Sequence, residues 1–180
     1  MNMFEEIERN RFLLVMLNEE EYEKKFSEML KEVGKAGKRI CYVCLSSTYE
    51  DAIATLKRKG VDTSRFFFID TLSSHYNESF DTKNCAFVSS PAALDGLRDA
   101  IKEAVQKEKC SIIIFDTITS LLIYQETFSI VKFTNSIAGS KEYENTKKVF
   151  IVLKDMERVK KENLSLVKDI SLFADKTIGA

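Results

Sequence analysis

One apolar run, which stops abruptly at a carboxylate and a hydroxyl, constrains the fold more than any other feature of this chain. The stretch from Cys110 to Phe115 is mostly apolar and contains three consecutive isoleucines, and Asp116 and Thr117 follow it directly. Such a run is typical of a strand that is buried on both faces of a parallel sheet. Asp116 would then lie at the carboxyl end of the strand, the edge where open α/β sheets bind ligands.

Similar apolar runs recur along the chain and alternate with stretches whose apolar residues have helical spacing. This alternation predicts the α/β class, with a mostly parallel sheet covered by helices on both faces as a three-layer αβα sandwich. The predicted strands are Phe12–Leu17, Ile40–Leu45, Phe66–Ile69, Cys85–Val88, Ser111–Phe115, Val149–Leu153 and Phe173–Ile178. The predicted helices are Glu19–Val33, Thr48–Lys59, one that starts at Ser90-Pro91, a buried helix pair over Ile118–Ala138, and Met156–Ile170.

Length and charge limit the classes of protein that remain. At 180 residues, we expect a single domain over residues 1–180. The 27 basic and 28 acidic residues nearly cancel, which argues against a nucleic-acid-binding surface. The first apolar run, Phe12–Leu17, is too short for a signal peptide or a membrane span. We therefore expect a cytoplasmic protein without membrane contact.

Two aspartates each follow a predicted strand. Asp70 comes after the run that ends at Ile69, and Asp116 comes after Phe115. Both could point into one crevice and bind a cation together, although two carboxylates alone make a weak site for a hard metal ion. Alternatively, each aspartate caps the turn that follows its own strand, since Asp70-Thr71 and Asp116-Thr117 are natural Asx-turn sequences.

Three stretches of the sequence resemble the RecA/KaiC-like ATPase superfamily, in particular its small archaeal KaiC-like members. They are Phe66–Asp70, Ile112–Tyr124 and Leu172–Ile178, and the likeness is strongest where the apolar strand ends in Asp116-Thr117 and an apolar helix follows. The resemblance implies a P-loop-type αβα sandwich with Asp116 in the metal-associated position. It also implies assembly through subunit contacts, because RecA-like domains commonly form rings or filaments with the nucleotide between subunits.

The sequence departs from that family where phosphate should bind. A P-loop needs Gly-x-x-x-x-Gly-Lys-[Ser/Thr] after the first strand, but Leu17 to Tyr22 contains no glycine, lysine, serine or threonine. Instead, three glutamates open the predicted helix, with Asn18 as the expected cap and Glu21 at the capping-box position. The chain also lacks the family's paired glutamates after the second strand. It has Cys44-Leu45-Ser46-Ser47 there, and Ser47 is expected to cap the second helix.

These departures predict a non-catalytic domain that needs no cofactor and acts through protein contacts, in regulation or signal transduction. We expect a protein partner, or self-association as a dimer or small oligomer, through the apolar segment Leu121–Ile137. The polar stretch Asp70–Asn84 is the longest expected loop and a second place for partner contact.

Two alternative functions remain open at this stage. The first is a nucleotide sensor or ATPase that holds ATP and Mg²⁺ in the crevice at Asp116, with groups supplied by a neighbouring subunit. Its candidate contacts are Asp70, Ser46, Ser47 and Thr117, and Asp116 with Asp70 would hold the metal. The second is an accessory protein of DNA repair or recombination, against which the balanced charge argues.

Overall fold

A computed structural model describes residues 3–74, 82–155 and 160–179 of the chain. Within these residues one seven-stranded sheet has the order β4-β3-β2-β5-β6-β1-β7. Every pair of neighbouring strands is parallel. The strands are β1 (Phe12–Leu17), β2 (Ile40–Cys44), β3 (Phe66–Asp70), β4 (Cys85–Phe87), β5 (Ile112–Phe115), β6 (Lys147–Leu153) and β7 (Lys176–Ile178).

Helices cover both faces of this sheet, which confirms the predicted α/β class and its three layers. One apolar core lies under α1, α2 and α3, and a second lies under α4, α5 and α6. The helices are α1 (Met3–Arg9), α2 (Glu19–Lys35), α3 (Tyr49–Arg58), α4 (Leu94–Gln106), α5 (Thr127–Gly139) and α6 (Lys160–Ser171). None of the described helices is both long enough and apolar enough to cross a membrane.

Strand β5 has the buried, central position that its sequence predicts. It lies between β2 and β6, and all four of its side chains are buried. Ile113 and Phe115 face the core under α4 to α6, whereas Ile112 and Ile114 face the opposite core. Because both faces are covered, an apolar residue is required at every position, and no alternating pattern can appear in the sequence.

Some boundaries differ from those predicted. Helix α4 begins at Leu94, because Ser90 to Ala93 forms a turn in which the Ala93 amide donates to the Ser90 carbonyl (3.0 Å). Pro91 therefore occupies the second position of a turn, which suits its fixed φ as well as the first helical position would. Strand β6 starts two residues before the predicted Val149.

Two predicted segments lie partly outside the described residues. The long loop Asp70–Asn84 includes residues 75–81, and the start of the last predicted helix includes residues 156–159. The apolar segment after Asp116 is described throughout, and it forms a 3-10 helix, Ile118–Ile123, followed by α5. The segment was predicted to form a buried helix pair, and Tyr124 to Glu126 separate its two helices.

Candidate functional site at the carboxyl edge of the sheet

The strand order defines one position where a crevice is expected. Strands β2 and β5 are neighbours, but the chain continues from β2 to β3 on one side and from β5 to β6 on the other. Parallel sheets bind ligands outside the carboxyl ends of strands at such a divergence. The two loops that leave β2 and β5 carry four predicted site residues, Ser46, Ser47, Asp116 and Thr117.

The side-chain carboxylate of Asp116 lies at the point where the loops after β2 and β5 diverge. Its Oδ1 accepts hydrogen bonds from the Leu45 amide (2.9 Å) and the Thr117 amide (2.6 Å). Its Oδ2 accepts from the Ser46 amide (3.2 Å) and the Ser46 hydroxyl (2.8 Å). These four donors match the number of lone-pair positions on a carboxylate. Asp116 therefore ties the loop after β2 to the end of β5.

Burial governs the ionisation of Asp116. The residue is fully buried, and this burial raises the pKa of its carboxyl to about 6. The hydrogen bonds from Ser46, Leu45 and Thr117 oppose the shift, because they stabilise the charged form. At neutral pH the group is therefore mostly a carboxylate, held by donors of its own chain.

Asp70 has an equivalent arrangement in its own loop. Its Oδ1 accepts from the amides of Leu72 (2.7 Å) and Ser73 (2.9 Å). Its Oδ2 accepts from the Ser73 hydroxyl (2.6 Å) and from the amide of Tyr49, the first residue of α3 (2.5 Å). Asp70 thus closes the turn after β3 and caps a neighbouring helix.

The two aspartates therefore serve different loops, which favours the turn-capping interpretation over a shared cation. Their strands, β3 and β5, flank β2, so they are two strand spacings apart, about 10 Å. Among the described residues, no group of three or more His, Cys, Asp or Glu side chains is arranged to hold a metal ion. Metal binding by Asp70 and Asp116 stays a prediction, and it would require several of these hydrogen bonds to break.

The remaining candidates are divided between a surface cleft and the interior. Ser46 and Ser47 line a cleft of about 180 Å³ between α2 and α3, which Tyr22 also lines. Thr117 lies in the interior, and its buried hydroxyl has no hydrogen-bond partner among the described residues. The structure thus brings Ser46 to Asp116, but it does not bring Thr117 into the cleft. Ser47 is not the cap of α3, because the Thr48 hydroxyl accepts from the Asp51 amide (3.3 Å) instead.

A carboxylate also lies at the turn where a P-loop would hold phosphate. Asn18 has the extended backbone of a helix cap, but its side chain makes no capping hydrogen bond. The Glu19 amide donates instead to Oδ1 of Asp155 (2.9 Å), a residue that follows β6. Because β6 is the neighbour of β1, the end of one strand supplies an acceptor to the helix that follows the other. Asn18 therefore occupies the predicted N-cap position of α2, but Asp155 rather than the Asn18 side chain supplies the acceptor.

Sequence reasoning missed two residues at this edge, Asp155 and Tyr22. The Tyr22 hydroxyl donates to the backbone carbonyl of Asp116 (3.1 Å), which links α2 to the end of β5. Burial raises the pKa of Tyr22 well above its ordinary value, and the Asp116 charge adds to the shift. In the sequence, Tyr22 has the spacing of an ordinary core residue, and Asp155 has no visible connection with Glu19.

Comparison with known proteins supports the fold and goes no further. No protein-family model matches the chain, and no curated protein matches it. One similar solved structure is that of an uncharacterised protein from Pyrococcus horikoshii, crystallised in complex with an unknown peptide. The TM-score is 0.69 at 12% sequence identity, over 96% of this chain and 81% of that chain. A likeness at this identity concerns the fold alone.

Proposed function

We propose that this chain is a non-catalytic RecA/KaiC-like domain that acts through protein–protein contacts in regulation or signalling. The observation that carries the proposal is the hydrogen bond from the Glu19 amide to Asp155. In a P-loop, the first amides of this helix bind phosphate. Here a carboxylate of the same chain accepts from the first of them.

The charges around this helix start also disfavour a nucleotide. Glu19, Glu20 and Glu21 form its first turn, and Asp155 adds a fourth carboxylate beside them. Lys25 pairs with Glu21 (2.6 Å), and the turn Leu17–Tyr22 itself contains no lysine, so a phosphate in the same place would meet several anions. Each close pair of like charges costs on the order of 1–4 kcal/mol before screening.

The bonding of Asp116 supports the same proposal. An aspartate that holds Mg²⁺, directly or through water, needs lone pairs directed towards the metal or its water. Asp116 instead uses its oxygens to hold Leu45, Ser46 and Thr117. If Asp116 bound a metal ion, these donors would lose their acceptor while they stay buried. Each donor left unsatisfied in this way costs about 1–3 kcal/mol.

Exposed apolar side chains support contact with another protein. Most apolar residues of the segment Leu121–Ile137 pack in the core, but Ile123 is 59% exposed and Phe128 is 76% exposed. We call these two residues the contact pair. The structural neighbour from P. horikoshii was crystallised with a peptide, which is consistent with a binding role for this fold. Two acidic residues near Ile123, Glu126 and Glu162, favour a partner segment that combines apolar and basic side chains.

Calorimetric titration with Mg²⁺-ATP and Mg²⁺-ADP tests the non-catalytic part of the proposal. We expect no saturable heat for the wild-type chain at millimolar nucleotide. Micromolar binding that is lost in Asp116→Ala would overturn the proposal. Because that variant can be destabilised, Ser46→Ala serves as a second variant. It removes the hydroxyl that donates to Asp116 and leaves the hydrogen bond from the Ser46 backbone amide in place.

Sedimentation velocity over a range of concentrations tests the contact part. We expect reversible self-association of the wild-type chain, and its loss in Phe128→Lys. Leu172→Lys is the matched control, since Leu172 is 80% exposed and lies just beyond the end of α6. A strict monomer at high concentration would contradict self-association. Equal effects of the two substitutions would contradict the assignment of the contact pair.

The cleft beside Ser46 and Ser47 favours one second candidate, a nucleotide sensor completed by a neighbouring subunit. Lys59 also lines the cleft, where its ammonium pairs with Glu23 (3.1 Å). For such a sensor, Mg²⁺ and nucleotide together should raise the melting temperature, whereas neither alone should. An unchanged melting temperature under all three conditions would exclude it.

A further inference from the structure

A lysine lies buried at the opposite, amino end of the sheet. Lys148 is the second residue of β6 and is only 2% exposed. Its Nζ donates to the carbonyl oxygen of Tyr143 (2.5 Å). An ammonium group has three N–H donors, and no other acceptor and no ion-pair partner of Lys148 is found among the described residues. Within the described part of the chain, two of its three donors therefore have no partner.

Lys148 lines a cavity of about 320 Å³ at the start of β1 and β6. Arg11 and Lys141 contribute two further cations to its lining. Two aromatic rings form an apolar part of the same wall, since Phe12 and Phe173 stack with centroids 5.7 Å apart. Phe12 is buried and Phe173 is half-buried, so Phe173 presents more of this apolar wall to the cavity. The cavity therefore combines cationic donors with an apolar wall, and its size is at the lower end of the range for small-molecule sites.

Two carboxylates also line this cavity, but one of them is already engaged. Asp175 Oδ2 accepts from the backbone amides of Arg11 (2.7 Å) and Phe12 (2.9 Å) and so caps the start of β1. The other, Glu144, is exposed. Neither forms an ion pair with Lys148, so among residues 3–74, 82–155 and 160–179 the buried ammonium lacks the counter-charge that normally compensates its loss of water.

The ionisation of Lys148 reflects this environment. Burial lowers the pKa of its ammonium to about 8, and the nearby Arg11 and Lys147 charges act in the same direction. The carboxylates of Asp175 and Glu144 oppose the shift without cancelling it. The group is still mainly protonated at pH 7, and it can donate hydrogen bonds to an anion that enters the cavity.

We propose that this cavity binds a small organic anion. A carboxylate or phosphate of the ligand accepts hydrogen bonds from Lys148 Nζ, and the ligand's apolar, preferably aromatic, part packs against the wall to which Phe173 contributes. This site is at the opposite edge of the sheet from Asp116. The proposal for this cavity can therefore be tested independently of the proposal for the carboxyl edge.

Four probes separate the parts of this proposal in calorimetric titrations at pH 7. Phenyl phosphate and phenylacetate carry both an anion and a ring, inorganic phosphate carries only the anion, and benzyl alcohol carries only the ring. We expect saturable binding of at least one aryl anion, about tenfold tighter than inorganic phosphate, and none of benzyl alcohol. Whether phenyl phosphate or phenylacetate binds more tightly indicates whether the site prefers a phosphate or a carboxylate.

Two lysine variants locate the binding. Lys148→Met retains much of the side-chain length without the charge. It should lower the affinity for the aryl anion at least about tenfold. Lys147→Met changes the net charge equally on the same strand, but Lys147 Nζ bonds the carbonyl oxygens of Glu8 and Asn10 instead. It should leave the affinity within about threefold of the wild type.

Three results would overturn the proposal. They are the absence of saturation by any probe at about 10 mM, equal weakening by the two variants, and unchanged affinity in Lys148→Met. Melting curves of both variants accompany the titrations, so that a folding defect is not mistaken for lost binding.

Discussion

The two ends of the sheet differ in how fully their buried charged groups are hydrogen-bonded. At the carboxyl end, Asp70 and Asp116 each accept four hydrogen bonds from their own chain, and Asp155 caps α2. At the amino end, Lys148 has one acceptor in the part of the chain that the structure describes, and it lines a cavity. Asp175 shows that the amino end also contains engaged carboxylates. The difference therefore concerns Lys148 in particular.

This contrast separates a structural charge from a charge that is available to a ligand. Position alone marks Asp116 as functional, because it follows a central strand at the divergence of two crossovers. Its bonding indicates a structural role. Lys148 has no special position in the topology, but its unused donors indicate a site. The unused donors of the charged Lys148 thus give a stronger argument for ligand binding than the position of the engaged Asp116 carboxylate does.

Truncation of the engaged carboxylates should produce the largest effect. We expect Asp70→Ala and Asp116→Ala each to lower the free energy of unfolding by about 3 kcal/mol, because each leaves buried donors without an acceptor. Urea denaturation measures the change. Asp95→Ala is the control, since Asp95 pairs with Arg98 at the surface and should cost less than about 1 kcal/mol. A loss below about 1 kcal/mol for Asp116→Ala would mean that its hydrogen bonds are dispensable and would reopen its assignment as a ligand site.

Much of the fold follows from local sequence, whereas the partners of these charges do not. The apolar runs locate β1, β2, β3 and β5 to within about one residue, and the Asx-turn sequences indicate that Asp70 and Asp116 can close turns. The bond from Leu45 to Asp116, in contrast, joins loops 71 positions apart. It depends on the adjacency of β2 and β5, which no local pattern encodes.

The same limit explains why the lysine at the amino end was missed. Its strand was predicted to start at Val149, the first residue of an uninterrupted apolar run, so Lys148 fell outside. A lysine before such a run is normally a solvated flanking residue. Its burial results from the helical layer above β6 and from the turn that presents the Tyr143 carbonyl, both of which require the assembled structure.

Removal of the buried ammonium should have a smaller effect, and in the opposite direction. We expect Lys148→Met to raise the free energy of unfolding at pH 7 by about 2 kcal/mol, because an apolar side chain avoids the cost of desolvating a charge without a counter-ion. Urea denaturation of Lys148→Met, with Lys147→Met as the control, measures this change in the free energy of unfolding. A loss of stability in Lys148→Met would show that the ammonium already has adequate partners, and would remove the contrast between the two ends of the sheet.

The pH dependence of that difference sharpens the test. The pKa of Lys148 is about 8 in the folded protein against an ordinary value of 10.5. Between these values the unfolded chain holds a proton that the folded chain has released, so this group makes the wild type more stable as the pH rises. The advantage of Lys148→Met should therefore shrink from pH 8 towards pH 10.5. A difference that is constant over this window would contradict a lowered pKa.

The smallest effect is expected at Asp155, which is exposed and makes one bond to the start of α2. Asp155→Ala should cost about 1 kcal/mol, the usual value of a lost helix cap, whereas Asp155→Asn keeps an acceptor and should cost less. Amide hydrogen exchange should become faster at Glu19 in Asp155→Ala and change little in Asp155→Asn. Titration of Asp155→Ala with Mg²⁺-ATP then separates two explanations for the expected lack of nucleotide binding. If the Asp155 carboxylate were the sole obstacle, the variant would gain affinity. We expect none, because the three glutamates of the first turn remain and no lysine replaces the lost charge.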